Sequence, residues 1–379
     1  MKRVAVLMGG ISPEHPVSLA SGCGILANLD PELFVGFPVL ISKDNEWVWP
    51  KDVGAQPATP VAAFDGKWIA PAGWDAAMAA DILENTPVDW ARTRFPLFNA
   101  LPSADVYFIG LHGIGGEDGR LQGFLELAGQ PFTGSGGLGS ALAMDKILSK
   151  QLYALNGVPT AEWVVLDTTE WNTDTVIASA DRVEKEIGLP AVVKHPTGGS
   201  SIGVAVAHTR DELLAALTEI GKDTPRLLVE EFVAGRECSC GVLEEVGHSA
   251  ATALSPTEIR PRKGGFFTFE EKYAQGGAEE ITPAEFPAAV IERIQEFARR
   301  AHQALRLSVY SRTDFIWIPP AVTELADIPE ALGEIYALET NNLPGFTATS
   351  LLPQQAAYAG LSYRDLVTKV IEQSLQTVR

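Results

Sequence analysis

The chain has 379 residues, of which 46% are hydrophobic and 20% are charged, and this predicts a globular protein of two or three domains. Its formal net charge of -19 excludes the broad basic surface of most nucleic-acid-binding proteins, and the acidity is most simply explained by solubility. Three cysteines are too few for a disulfide framework, no signal peptide opens the chain, and no stretch approaches the roughly 20 apolar residues of a membrane span. We therefore expect a cytoplasmic protein that contacts neither nucleic acid nor membrane.

The first part of the chain, residues 1–134, predicts an α/β domain in which strands alternate with helices. Strands are expected over 4–10, 34–42 and 104–113, and helices over 12–29 and 121–129. A glycine turn separates the first strand from the first helix, and Ser12 is the expected N-cap of that helix. Residues 44–100 are rich in Trp, Pro and Ala with weak periodicity, and we interpret them as an insertion.

Two further domains are expected, over 135–231 and 232–379. The smaller is α+β, with helices over 140–157 and 210–217 and strands over 162–167, 191–196, 203–208 and 226–233. The last has strands over 237–245, 251–259, 309–317 and 334–340, helices over 284–306 and 363–377, and a loop over 260–273. The pattern G-x-G-x-x-G at 134–139 follows a turn and not a strand, so it indicates a linker instead of a dinucleotide site.

A lysine and a glycine-rich loop lie between two predicted strands in the stretch VVKHPTGGSSIGV, residues 192–204. Lys194 ends the first strand, so its ammonium could point into a cleft. The glycines let backbone amides approach a phosphate, and Ser200 and Ser201 add hydroxyl donors. The pattern is consistent with a phosphate-binding loop or with an ordinary hairpin turn.

Acidic residues stand at the end of another strand in the stretch RLLVEEFVAGRE, residues 226–237. Glu230 is followed by backbone at Phe232 and Val233 that links two domains, and Glu237 comes next. A backbone linker flanked by carboxylates suits the amino group of adenine and the ribose diol, and a solvated strand end is the alternative.

A third polar cluster combines two strands near the end of the chain. Arg312 and Asp314 are two residues apart, as are Glu339 and Asn341, so each pair faces one side of its strand. Asp314, Glu339 and Asn341 offer oxygen ligands, which suit Mg²⁺ bound to substrate phosphates better than Zn²⁺. Arg312 could stabilise developing negative charge, and a structural Arg–Asp pair is the alternative.

Eight stretches, in order along nearly the whole chain, carry the motifs of one family. They are MGGISPEHPVSLASG, LHGIGGEDGRLQGFLELAGQPFTGSG, ALAMDKILSK, VVKHPTGGSSIGV, LLVEEFVAGRE, FEEKY, YSRTDF and LETNNLPGFTATSLLP. Together they resemble the D-alanine–D-alanine ligases of the ATP-grasp superfamily. The resemblance implies an ATP-grasp fold, α/β and α+β, with an N-terminal α/β substrate domain, a small central lid domain and a C-terminal catalytic domain.

The resemblance implies an ATP- and Mg²⁺-dependent ligase that makes D-alanyl-D-alanine for peptidoglycan synthesis. ATP would phosphorylate the carboxylate of the first D-alanine, and the amine of the second would attack the acyl phosphate. The nucleotide would be held by Lys146, Lys194, Ser200, Ser201, Glu230, Glu237 and Lys272, and by the backbone of Phe232 and Val233. Asp314, Glu339 and Asn341 would hold two Mg²⁺ ions, for which Mn²⁺ could substitute.

The same resemblance assigns the two D-alanine sites and implies a homodimer. Glu14 would pair with the ammonium of the first D-alanine, and His112 would line the same end. The other assigned groups are Arg312 and the Gly345 amide for the oxyanion, Ser350 and Leu351 for the second carboxylate, Ser200 over the γ-phosphate, and Tyr273 in the lid.

The chain departs from the family pattern at three places. His195 follows the loop lysine where the family usually has Pro, the lid stretch FFTFEEKY has fewer tyrosines, and Thr349 stands where a His is common. These changes leave the ATP chemistry intact but leave the acceptor open among D-alanine, D-lactate, D-serine and another amino acid, with Tyr273 favouring D-alanine. A catalytically silent nucleotide-binding protein is a further alternative, against which the intact third cluster argues.

Overall fold

The computed structural model describes residues 1–51, 75–94, 96, 101–198, 203–247, 251–261, 278–320 and 332–377. Within these residues the chain forms three sheets of five, four and six strands, with helices packed against them. None of the helices described there is long and apolar enough to cross a membrane.

The five-stranded sheet is the centre of the N-terminal part. Its strands are β1 (Lys2–Gly9), β2 (Phe34–Ile41), β3 (Glu46–Pro50), β4 (Trp90–Arg94) and β5 (Val106–Ile109), in the order β4-β3-β2-β1-β5. β1 and β5 are paired in parallel. Both are continuous apolar runs, because helices cover parallel strands on both faces. The helices are α1 (His15–Ala27), α2 (Ala76–Glu84) and α3 (Arg120–Leu127). The α/β prediction is confirmed, and the described part of the 44–100 insertion extends the sheet with antiparallel β3 and β4.

The expected N-cap of the first helix is wrong by two residues. Helix α1 begins at His15 with Glu14 in the N-cap position, and Pro16 fits the first turn because its missing N–H would have no helical partner. Ser12 instead accepts a hydrogen bond from the Glu14 backbone N–H at 3.1 Å, which shapes the loop before the helix.

The four-stranded sheet belongs to the small central part. Its strands are β6 (Trp163–Asp167), β7 (Ala191–Lys194), β8 (Val204–Ala207) and β9 (Arg226–Glu231), all antiparallel in the order β6-β9-β7-β8. Helices α4 (Gly137–Met144) and α5 (Lys146–Leu155) precede it, and α6 (Thr173–Glu186) and α7 (Arg210–Gly221) cover it. Helix α6 was not anticipated from the sequence.

The single helix expected over 140–157 is also wrong, because the chain breaks at Asp145. This residue is extended, with ψ of 102°, and its carboxylate accepts hydrogen bonds from the backbone N–H groups of Ile147 and Leu148. Asp145 therefore caps α5 as a separate helix. Its other oxygen pairs with Arg226 of β9 at 2.9 Å, which fixes the start of α5 against the central sheet.

The six-stranded sheet completes the fold. Its strands are β10 (Arg236–Glu244), β11 (Ala251–Ala253), β12 (Thr257–Pro261), β13 (Ala278–Ile281), β14 (Tyr310–Ile318) and β15 (Glu334–Asn341). They run antiparallel in the order β13-β12-β10-β14-β15, with β11 paired to β10, so the one strand expected over 251–259 is two. The helices are α8 (Ala288–Ala304), α9 (Leu351–Tyr358) and α10 (Tyr363–Gln376).

The largest core joins the first sheet to the end of the chain. Leu366, Val367, Val370 and Ile371 of α10 are buried in the same hydrophobic cluster as the apolar residues of β1. The domain limits at 134 and 231 remain predictions, but α10 packs beside the N-terminal sheet although it lies in the last predicted domain.

Candidate functional site

A cavity of ≈ 590 Å³ lies between the four-stranded and six-stranded sheets. Its apolar lining includes Val192, Val204, Val206, Phe232, Val233, Ile259, Ile316 and Leu338. Its charged lining includes Lys146, Lys194, Glu230, Glu237, Asp314 and Glu339. An apolar cleft with a few converging charges is the usual form of a cofactor site. All the predicted nucleotide-binding residues that the structure describes line this cavity, together with two of the three predicted metal ligands.

The two predicted phosphate lysines reach the cavity from different elements. Lys146 is the first residue of α5, and its ammonium lies 2.9 Å from Glu339 Oε2 and donates to the Gly198 carbonyl at 2.6 Å. Lys194 ends β7, and its ammonium pairs with Glu230 Oε1 of the neighbouring strand β9. The strand and helix ends therefore bring two positive charges to one cleft, as phosphate binding requires.

The third polar cluster is assembled by strand register. Asp314 lies opposite Glu339, and Arg312 lies opposite Asn341, with a bulge directly after Asp314. Arg312 donates from Nε to Asp314 Oδ1 at 3.0 Å and from Nη2 to Oδ2 at 2.8 Å, and Asn341 donates to Oδ2 at 3.2 Å. The buried Ser239 hydroxyl donates to Asp314 Oδ1 from the adjacent strand β10. Asp314 is thus held rigidly by three neighbours.

The donor set of this cluster fits magnesium. Among the described residues there is no group of three or more His, Cys, Asp or Glu side chains placed to hold a metal ion. Mg²⁺ does not need such a cage, because it keeps water ligands and is often held by one or two carboxylates together with substrate phosphates. Asp314, Glu339 and Asn341 supply two carboxylates and an amide oxygen from adjacent strands. In this structure Asp314 also pairs with Arg312, and Glu339 also pairs with Lys146.

A second group of polar residues, which we call the Glu14 pocket, lies at the carboxyl ends of β1 and β5, the edge of an α/β sheet where ligands usually bind. Glu14 lies in the loop after β1, and His112 and Glu117 lie in the loop after β5. Gly113 has a φ of +71°, and a Cβ there would lie 2.5 Å from Glu14 Oε2 and 2.3 Å from Ser12 Oγ. Only glycine allows the two loops to approach this closely.

His112 is buried, and both of its ring nitrogens have partners. Nε2 lies 2.8 Å from the Ser21 hydroxyl of α1, and Nδ1 donates to the Leu343 carbonyl at 3.0 Å. Glu117 Oε1 lies 3.8 Å from Nδ1. Burial lowers the pKa of His112, but hydrogen bonding to Glu117, the charges of Glu117 and Glu14 and the bond to the Leu343 carbonyl together more than offset that effect, so its pKa is raised. Burial, together with the charge of Glu14, also raises the pKa of Glu117.

The Leu343 contact ties this pocket to the loop between β15 and α9. In that loop a Cβ on Gly345 would lie 2.9 Å from Ser350 Oγ, so Gly345 and Ser350 are neighbours. Ser350 directly precedes α9, and its hydroxyl accepts from Thr347 N at 3.0 Å. Leu351 is the first residue of α9, and the free N–H groups of a helix start favour a carboxylate.

The structure thus arranges the predicted residues in three adjoining groups, which are the nucleotide cleft, the β14–β15 cluster, and the pocket of Glu14 and His112 with its loop to Gly345. Ser200, Ser201, Lys272 and Tyr273 lie outside the described residues. Each residue's assigned role remains a prediction.

Among the residues in or beside these groups that were not predicted are Glu117, Ser239 and Lys150, which pairs with Glu230. Glu117 lies within the quoted HGIGGEDG stretch, so its acidic character was a usable signal. Lys150 is four residues after Lys146 on α5 and therefore lies on the same face. The position of Ser239 depends on the pairing of β10 with β14, which the sequence does not specify.

Comparisons with known proteins show which family the chain resembles. The family models "D-ala D-ala ligase N-terminus" and "D-ala D-ala ligase C-terminus" match residues 3–135 and 152–372. A D-alanine–D-alanine ligase of Leptospira interrogans is 38% identical, with 99% of each chain covered. A solved D-alanine–D-alanine ligase of Bacillus anthracis complexed with ATP is 28% identical, with 99% of this chain and 98% of that chain covered and a TM-score of 0.67. The VanG D-Ala:D-Ser ligase of Enterococcus faecalis is 27% identical, with 98% and 99% covered and a TM-score of 0.77.

Proposed function

Because this chain belongs to the D-alanine–D-alanine ligase family, we propose that it joins two D-alanine molecules, using ATP, through an acyl phosphate. The observation that carries the proposal is the junction of the three residue groups. The nucleotide cleft contains the β14–β15 carboxylates, and the bond from His112 to the Leu343 carbonyl joins the Glu14 pocket to the Gly345 loop.

In the first step, a carboxylate oxygen of the first D-alanine attacks the γ-phosphorus of ATP, and the bond from that phosphorus to ADP breaks. Two anions must approach each other, so the ammonium groups of Lys146 and Lys194 offset the charge of the phosphates. Glu14 holds the ammonium of the first D-alanine. Asp314, Glu339 and Asn341 would hold Mg²⁺, which would supply positive charge to neutralise the phosphates.

In the second step, the amine of the second D-alanine, having lost a proton, attacks the acyl carbon. The new C–N bond gives a tetrahedral oxyanion, which then collapses with loss of phosphate. The Arg312 guanidinium and the Gly345 N–H stabilise the oxyanion. Ser350 and Leu351 hold the carboxylate of the second D-alanine.

We further propose a homodimer that works in the cytoplasm and supplies D-alanyl-D-alanine for peptidoglycan. Three adjoining domains with limits near 134 and 231 fit this scheme, with the nucleotide between the central and C-terminal domains. The proposed use of ATP supports a cytoplasmic location, and the family resemblance supports the dimer. Light scattering of the purified protein tests the dimer.

A phosphate-release assay tests the proposed function. The purified protein is given Mg²⁺, ATP and D-alanine, D-serine, D-lactate or L-alanine, alone and in pairs. We expect D-alanine alone to support release of phosphate and ADP. Release only with a non-alanine partner would select a different acceptor, which the D-alanine–D-alanine ligase relatives do not favour. ATP binding without turnover on any substrate would indicate a catalytically silent protein.

A further inference from the structure

A buried lysine that has no part in the scheme above lies behind the nucleotide cleft. Lys150 of α5 is 1% exposed, and its ammonium lies 2.6 Å from Glu230 Oε2. Glu230 is itself 2% exposed and lines the cleft. Lysine is almost never fully buried unless it is paired, so this position needs a physical reason.

One carboxylate serves two ammonium groups at this point. Glu230 Oε1 pairs with Lys194, the predicted phosphate lysine, and Oε2 pairs with Lys150. A buried carboxylate that loses its partner is strongly destabilised, because its charge is left uncompensated. Without a second cation, Glu230 would therefore retain Lys194 and oppose its transfer to a phosphate.

Lys150 is held in a fixed position, unlike a lysine that moves with its ligand. Its ammonium donates to Thr160 Oγ1 at 2.6 Å and to the Ala161 carbonyl at 3.3 Å, in addition to its ion pair with Glu230. Thr160 in turn donates to the Ala337 carbonyl of β15 at 2.8 Å. Lys150 therefore anchors Glu230 to the strand that also carries Glu339.

We propose that Lys150 is a positioning residue of the nucleotide site, which holds and neutralises Glu230 so that Lys194 is released to the phosphates of a nucleoside triphosphate. Glu230 then keeps its orientation in the cleft while Lys194 moves from Glu230 to the phosphates. The inference rests on the proposed function only in taking ATP as the ligand.

The test is the dissociation constant of ATP measured by titration calorimetry, which needs no turnover. In Lys150→Met, Glu230 keeps Lys194 as its cation, and we expect ATP to bind at least tenfold more weakly than in the wild type. Lys150→Arg restores the charge and should recover part of the affinity. In Lys150→Met with Glu230→Gln, ATP should bind no more weakly than in Glu230→Gln alone, because Lys150 acts through Glu230.

The matched control is Ser149→Ala on the same helix. Ser149 is buried and donates to the Leu142 carbonyl at 2.9 Å, so its loss should lower thermal stability without changing ATP affinity. If Lys150→Met does not fold, the double variant remains informative, since removing both charges is better tolerated than removing one. ATP affinity unchanged in Lys150→Met, or effects that multiply in the double variant, would overturn the inference. Absence of ATP binding by the wild type would instead overturn the proposed function.

The KM for D-alanine separates this role from general damage to the fold. We expect it to stay within about twofold of the wild-type value in Lys150→Met while the KM for ATP rises with the dissociation constant. An equal rise in both KM values would overturn the positioning role.

Discussion

Replacement of Arg312 by alanine separates the chemical step from nucleotide binding. The side chain lies on β14 and binds both oxygens of Asp314, at 3.0 and 2.8 Å. After truncation, Asp314 keeps its hydrogen bonds to Ser239 and Asn341, so the carboxylate stays in place and becomes a freer metal ligand. Binding of Mg²⁺ and ATP should therefore not weaken.

The loss appears in turnover. Removal of one preorganised oxyanion donor lowers kcat by about 10²–10³, or about 2.7–4 kcal/mol, and we expect a loss of this size in Arg312→Ala. Arg312→Lys keeps the positive charge but lacks the planar guanidinium, so its kcat should lie between those of the wild type and Arg312→Ala. Loss of the bidentate contact should also lower the free energy of unfolding by about 1–3 kcal/mol.

Phosphate release under saturating substrates measures kcat, and calorimetry measures the dissociation constant of ATP with Mg²⁺. Arg182→Ala is the matched control. Arg182 is exposed on α6, and among the described residues its guanidinium contacts only Glu186, one helical turn away, and the Val165 carbonyl. Arg312→Ala that kept nearly full turnover, or that lost ATP affinity as much as turnover, would refute the oxyanion role.

Three further outcomes follow from the Glu14 pocket and the metal ligands. Gly113→Ala should displace Glu14 and raise the KM for D-alanine at least about tenfold. The control is Gly129→Ala, which should leave that KM unchanged, because Gly129 also has a positive φ of +63° but an added Cβ would have no atom within 4 Å. Equal effects of the two substitutions on the KM would contradict this. Because the pKa of His112 is raised from 6.5, the stability it contributes is present below pH 6.5 and lost as pH rises through the raised value. The unfolding temperature of the wild type should therefore fall more steeply above pH 6.5 than that of His112→Asn, and parallel curves would contradict this. EDTA should abolish phosphate release, and added Mg²⁺ or Mn²⁺ should restore it; activity that survives chelation would exclude the metal role of Asp314 and Glu339.

The elements with strong local signals were predictable from the sequence. Buried strands such as β1 and β14 are continuous apolar runs or alternate regularly, and their limits agree to within about two residues. The separate helix α5 was missed because the apolar period continues through Asp145, and only the cap geometry shows the break. Ser12 was taken for an N-cap because it is a good capping residue, but the loop turns once more before α1 begins.

The functional groups were predictable as separate motifs but not as one site. Residues two apart on a strand must share a face, so the pairing of Arg312 with Asp314 followed from spacing alone. The pairing of Asp314 with Glu339 depends on strand register, and the two lysines around Glu230 depend on how α5 packs beside β9. Those contacts are long-range, and no local pattern encodes them.

The central claim is that an acyl phosphate links ATP to the joining of two D-alanines. It is tested most directly with D-alanine labelled with ¹⁸O in both carboxylate oxygens, followed by mass spectrometry of the released phosphate and of the dipeptide. The account predicts D-alanyl-D-alanine as the product and one labelled oxygen in each phosphate released, because the C–O bond to the transferred phosphoryl group breaks when the amine attacks. Dipeptide formation with unlabelled phosphate, or phosphate release without dipeptide, would contradict it.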